Sequence, residues 1–123
     1  MSENNLIPRT FGFAVSVGNL VAQLPNNLLN RHYFSQIIRC SASVGANYRA
    51  SQRAKSTEDF IYKLKIVEEE ADETLYFLEL LLEFNPNHKK DIVLLIGECI
   101  EIIKIVVASI NTTRRKLNNE KKT

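Results

Sequence analysis

Long apolar runs are missing from this chain. The richest segment, Ile92 to Ile110, is broken by Glu98, Glu101 and Lys104, so it falls short of the roughly twenty apolar residues of a membrane span. The opening MSENNLIPRT has no basic stretch followed by an apolar core, so a signal peptide is not expected. Strand signals are nearly absent too. Glycine is sparse and scattered, at positions 12, 18, 45 and 97, which excludes a glycine-rich phosphate loop. Two cysteines, Cys40 and Cys99, lie in apolar-periodic stretches without ligand-type spacing. They read as buried thiols in a reducing cytosol, and the sequence leaves a disulfide between them open. A soluble cytoplasmic protein is expected.

Chemistry-bearing sets are also lacking. A dimetal bundle site needs Glu-x-x-His on two helices, but Leu29 stands three before His32 and Asn85 three before His88. The carboxylates Glu68/Asp72 and Glu69/Glu73 are spaced for cation binding or acid–base work. Without a histidine or a third ligand they read as a charged helix face. No Ser/His/Asp or Cys/His set stands out. The expectation is a non-enzyme with no metal and no cofactor.

Apolar residues recur at intervals of three and four, the helical period. The first run is Phe13, Val17, Leu20, Val21 and Leu24, ending at Pro25. The second begins near Arg31 to Phe34 and carries Ile37, Ile38, Val44 and Tyr48. The third opens at Ser56-Thr57-Glu58-Asp59, where Ser56 can cap free amides and the acids suit the positive helix end. It continues as Phe60, Leu64, Val67, Ala71, Leu75, Leu78 and Leu82, and stops at Asn85-Pro86-Asn87. The fourth carries Ile92, Ile96, Cys99, Ile103, Val106 and Ile110, then frays into Arg114-Arg115-Lys116 and a polar tail. The expected fold is all-α, a single-domain antiparallel up-down four-helix bundle over residues 1–123, with disordered ends at about 1–8 and 117–123.

The third helix is oily beyond its core stripe. Tyr62, Ile66, Tyr76, Phe77, Leu80, Leu81 and Phe84 lie off that stripe or on its flank, and Leu94 and Ile105 do the same on the fourth. A helix that is apolar most of the way round is buried most of the way round. In a small bundle the second face needs another subunit, so a homo-oligomer using those seven residues is expected.

Charge is segregated although the net is only +2. Residues 31 to 65 and 111 to 123 are basic, and residues 66 to 83 carry acids and no base. Between two oily segments lies RCSASVGANYRASQRAKS, residues 39 to 56, rich in small residues that let helix backbones approach closely. Gly45 inside it costs about 1 kcal/mol of helix propensity, which points to a packing reason or a bend. Arg39, Arg49 and Arg53 fall on one helical stripe. They suit either the acidic run Glu68 to Glu73 on the next helix or phosphate.

The string SASVGANYRASQRAKSTEDFIYKLKIVEEEADETLYFLELL, residues 41 to 81, resembles the signature region of bacterial four-helix-bundle proteins related to the 23S rRNA intervening-sequence proteins. The likeness extends over roughly residues 6 to 115. Typical members are similar to Ser-Ile-Pro-Ser-Asn-Ile-Ala-Glu-Gly where this chain has Ser43 to Ser51. Ser43 and Asn47 match, Gly45 replaces the proline, and Arg49-Ala50-Ser51 replaces the acidic-glycine end. The resemblance implies a ring-like homopentamer. A similar bundle is the accessory variability protein of diversity-generating retroelements, a basic pentamer that binds nucleic acid and a reverse transcriptase.

The expected function is non-enzymatic binding of RNA or DNA through Arg39, Arg49, Arg53, Lys55, Arg114, Arg115 and Lys116. The protein would act as accessory factor to a ribonucleoprotein or reverse transcriptase. The alternative is an adaptor ring that docks a protein partner and uses its arginines in internal salt bridges. No membrane partner is expected.

Overall fold

The computed structural model describes residues 6–122, which form four α-helices and no strand. They are α1 (Leu6–Gln23), α2 (Leu28–Ser51), α3 (Thr57–Phe84) and α4 (Lys89–Lys122), with a 3-10 turn at Pro86–His88 before α4. Among the described residues no helix is long and apolar enough to cross a membrane.

Local chemistry sets the helix ends. Pro8 sits in the first turn of α1, where a backbone N–H has no intrahelical partner to lose. Pro25 closes the segment after α1. Asn27 caps α2, its side chain accepting from the Asn30 amide at 2.9 Å. This places the start of α2 ahead of Arg31, because Leu28 and Leu29 are helical yet exposed and so lie outside the apolar period. Ser56 caps α3 as expected, accepting from the Asp59 amide at 3.0 Å, while Asp59 accepts from the Lys55 amide at 3.0 Å. This exchange is a variant of the capping box. Lys63 also donates to Asp59. The lysine and the Lys55 amide hold the Asp59 carboxyl below its ordinary range.

The ends differ from expectation. Residues 6–8 are helical, and α4 runs unbroken to Lys122 instead of fraying at Arg114. Leu117 packs partly against the core, which holds the polar stretch in helical register. The remainder of the expected disordered ends, residues 1–5 and 123, lies outside the described residues.

α2 packs on α1 and α3, and α4 packs on α1 and α3, so α1 and α3 stand at opposite corners. Between them lies a core that includes Phe13, Val17, Ile37, Val44, Tyr48, Leu64, Val67, Leu78, Leu81, Ile92, Ile102 and Val106. The buried face of α3 is Ile61, Leu64, Val67, Ala71, Thr74, Leu78 and Leu81. It is broader than the 60/64/67/71/75/78/82 stripe, whose Phe60, Leu75 and Leu82 pack partly against the core. Leu81, expected at a subunit interface, is fully buried in the protomer core. Apolar residues on both flanks of α3 left the width of that face ambiguous, and Thr74, a polar residue beside Cys40, completes the inner face.

Both cysteines are free and fully buried. Cys99 donates to the Ala71 carbonyl at 3.1 Å, and burial pushes its thiol up to about 12.

Gly45 has the packing reason its cost implied. A Cβ there would lie 3.2 Å from the Thr10 hydroxyl oxygen of α1, so the glycine sets how closely α1 and α2 approach. A Cβ added at Gly97 of α4 would meet nothing from other parts of the fold within 4 Å. Gly97→Ala should therefore raise stability by about 0.5–1 kcal/mol, measured as a urea midpoint. Gly45→Ala should fall short of that gain, because Thr10 must shift to admit the methyl group. Equal gains at both positions would remove the close-approach explanation.

Two polar contacts join distant parts of the chain. Asn30 and Asn85 exchange side-chain hydrogen bonds of 2.8 and 2.9 Å in a buried pair. Asn30 also donates to the Pro25 carbonyl and Asn85 to the Leu81 carbonyl. The pair ties the α1–α2 connection to the α3–α4 connection. Arg9 of α1 clamps Glu98 of α4 through two 2.7 Å bonds, and that carboxylate raises the guanidinium above its ordinary range.

Candidate nucleic-acid interface

The arginines of α2 divide between its two neighbours. Arg39 turns to α3, where its guanidinium meets Glu70 at 3.1 Å and also Glu73. Glu73 and then Glu70 raise it above its ordinary range. Arg49 turns to α1, its guanidinium carbon 5.9 Å from the centre of the Phe11 ring, within cation–π range. Arg53 lies beyond the last turn of α2. The expected shared stripe is therefore not formed. Arg53 is outside the helix, and the other two face different helices.

A different grouping replaces it. Thr113 of α4 lines a shallow site with Ser51, Gln52, Lys55, Ser56 and Phe60 of the α2–α3 turn. The following residues, Arg114, Arg115 and Lys116, therefore lie toward the end of the bundle that holds Arg53 and Lys55. All five are exposed. Lys121 and Lys122 continue the basic surface along the last turn of α4. Arg115 donates to Thr112 at 3.3 Å, which orients it along the helix. The acids in these segments are Glu58, Asp59 and Glu120, and Asp59 is already engaged by Lys63. Sequence-distant cations thus converge on one end, while Arg39 sits at mid-height with its carboxylates. Such an end can attract phosphate with a strong dependence on salt. Tyr48 is 2% exposed and inside the core, so it is not placed to stack on a base.

The expected interface residues of α3 also divide. Tyr62, Tyr76 and Phe84 are exposed, at 64%, 58% and 46%. Ile66 and Leu80 are half-buried, and Phe77 packs partly on the core. Tyr33 joins them from α2, its ring 6.1 Å from Phe84 and 6.2 Å from Phe77. On α4, Leu94 is exposed and Ile105 is partly covered by the protomer. Sequence reading missed the Arg9–Glu98 clamp. Its one available signal was that Arg9 is the lone charged residue of α1.

The family model described as 23S rRNA-intervening sequence protein matches residues 2–108. A similar solved structure is the crystal structure of a protein of unknown function from the S23 ribosomal protein family of Bacteroides thetaiotaomicron VPI-5482. It is 34% identical with a TM-score of 0.76, covering 85% of this chain and 96% of that one. No curated protein matches the chain. With the match spanning most of its length and a solved relative sharing its helices, this chain belongs to the 23S rRNA-intervening sequence protein family.

Proposed function

We propose that this protein is a non-enzymatic, homo-oligomeric, antiparallel up-down four-helix bundle that binds RNA or DNA through its basic end. The observation that carries the reading is the convergence of Arg53 and Lys55 with Arg114, Arg115 and Lys116. A cyclic assembly of parallel copies repeats that end around its rim, so a modest +2 per chain becomes a concentrated field. The exposed α3 residues supply apolar surface for such assembly, and the family resemblance supplies the number five. In this reading the ring works in the cytoplasm as accessory factor to a ribonucleoprotein or a reverse transcriptase. The family's link to 23S rRNA genes favours an RNA setting.

Light scattering coupled to size-exclusion chromatography, with and without a short RNA duplex, tests the reading. The expected result is a mass near five subunits that rises with RNA at low salt and less so at moderate salt. An oligomer indifferent to nucleic acid would favour the adaptor reading. That second reading has its own support in Arg39, which is committed to Glu70 and Glu73 within the protomer.

A further inference from the structure

Between α1 and α2, on the side away from the core, runs an apolar groove of about 240 Å³. It is lined by Ile7, Phe11, Ala14, Ala42, Ala46 and Arg49. Its floor is shallow because Gly45 brings the two helices together. Phe11, 59% exposed, forms one wall, and Arg49 lies over the Phe11 ring at the mouth. We propose that this groove receives the outer face of α3 from a second copy of the chain, with Tyr62 entering over Ala46 and Glu58 meeting Arg49. The proposal rests on the oligomeric part of the reading above and names the surfaces that make it.

Charge complementarity argues for this occupant. The described residues through the end of α2, 6–51, include no aspartate or glutamate, and the charge that lines the groove is Arg49. α3 carries nine acids against Lys63 and Lys65. At helical spacing, Glu58, Tyr62, Ile66, Glu69, Tyr76 and Leu80 share the face opposite the buried stripe of α3. Tyr62 is the most exposed large apolar side chain of α3.

Height along the bundle selects the residues. Asn30 lies beside Asn85, and Arg39 beside Glu70 and Glu73, so α2 and α3 run alongside each other in opposite directions. Counting equal steps from the Arg39 contact, Arg49 lies level with the stretch 60–63, and Ala46 with 63–66. A rotation axis along the bundle preserves height from copy to copy. The groove of one copy then faces Tyr62 and Ile66 of the next, with Glu58 within a long side chain's reach of Arg49. Groove and stripe are different patches on different sides of the protomer. The contact is therefore head-to-tail, the kind that propagates until a ring closes.

Paired cysteines test the proposal. Ala46 and Tyr62 are exposed, and the native cysteines are fully buried, so a short bis-maleimide reports on the introduced pair. Ala46→Cys/Tyr62→Cys should give a ladder of covalent multimers on a denaturing gel, while each single variant stays at one subunit. Multimers from Ala46→Cys alone would mean groove against groove, and from Tyr62→Cys alone, stripe against stripe. Either result overturns the proposal. So does an absent ladder in a protein whose scattering mass exceeds one subunit. A monomeric wild type overturns the oligomeric reading along with it, so the two failures are distinct. Arg49→Glu should raise the protein concentration for half-assembly by about tenfold, and adding Glu58→Arg should restore it. Assembly indifferent to Arg49→Glu, or not restored by the swap, overturns the Glu58–Arg49 contact.

Discussion

Arg114→Gln, Arg115→Gln and Lys116→Gln together should lower affinity for a short RNA duplex by about a hundredfold at low salt. Each side chain is exposed at the basic end. A charge-assisted phosphate contact in water contributes about 1 kcal/mol, and 1.4 kcal/mol is a factor of ten. Three lost contacts therefore amount to roughly two decades. The salt dependence should flatten as well, because each neutralised phosphate contributes about 0.9 to the slope of log K against log salt for duplex DNA, and a similar change is expected here. Glutamine keeps the helix propensity of the stretch, so the urea midpoint should hardly move. Filter binding across a salt series measures both quantities. Unchanged affinity with unchanged slope would remove α4 from the interface and leave the basic end without its main element.

Asn85→Ala should destabilise the protein by about 3 kcal/mol, a large share of the margin of a domain this size. The substitution deletes both bonds to Asn30 and the bond to the Leu81 carbonyl. It leaves the Asn30 carbonyl oxygen and the Leu81 carbonyl buried without these partners. Each such orphan costs about 1–3 kcal/mol. Asn30→Ala should cost a similar amount, because it strands Asn85 and the Pro25 carbonyl. The double variant should cost clearly less than the two singles combined, with a coupling of about 2 kcal/mol. Urea midpoints at constant slope give all three values. A loss under about 1 kcal/mol at both positions would show that the amide pair contributes little to holding the connections together.

Much of the helix layout was legible because it is local. Ser56 three residues before Asp59, and Asn85-Pro86 after a long apolar run, are signals contained within one turn of chain. The Asn30–Asn85 pair was not legible, since nothing near either asparagine announces a partner 55 residues away. Arg9 and Glu98 are 89 residues apart and pose the same difficulty. On α3 the expected stripe does face the core, with Phe60, Leu75 and Leu82 packed partly against it. Ile61, Thr74 and Leu81 are buried beside that stripe, and only contact with the neighbouring helices decides how far the inner face extends. The candidate site divides the same way. Its cations could be read directly as charge, but their grouping depends on where α4 passes the α2–α3 turn, with Thr113 facing it across a shallow site. Arg39 could have belonged to the basic surface by composition alone, and Glu70 and Glu73 hold it elsewhere.

The continuity of α4 bears on the entropy of recognition. One unbroken helix of 34 residues, about 51 Å long, passes through the core and ends in the basic residues. A flexible tail would have to order each residue on binding, at about 1–2 kcal/mol apiece for the backbone alone. Here that ordering is completed when the protein folds, and the Leu117 contact fixes the bearing of the arm. Arg114, Arg115 and Lys116 then take fixed bearings around the helix, so under the proposed reading recognition would discriminate by spacing and shape, favouring polyanions whose phosphates already match those bearings.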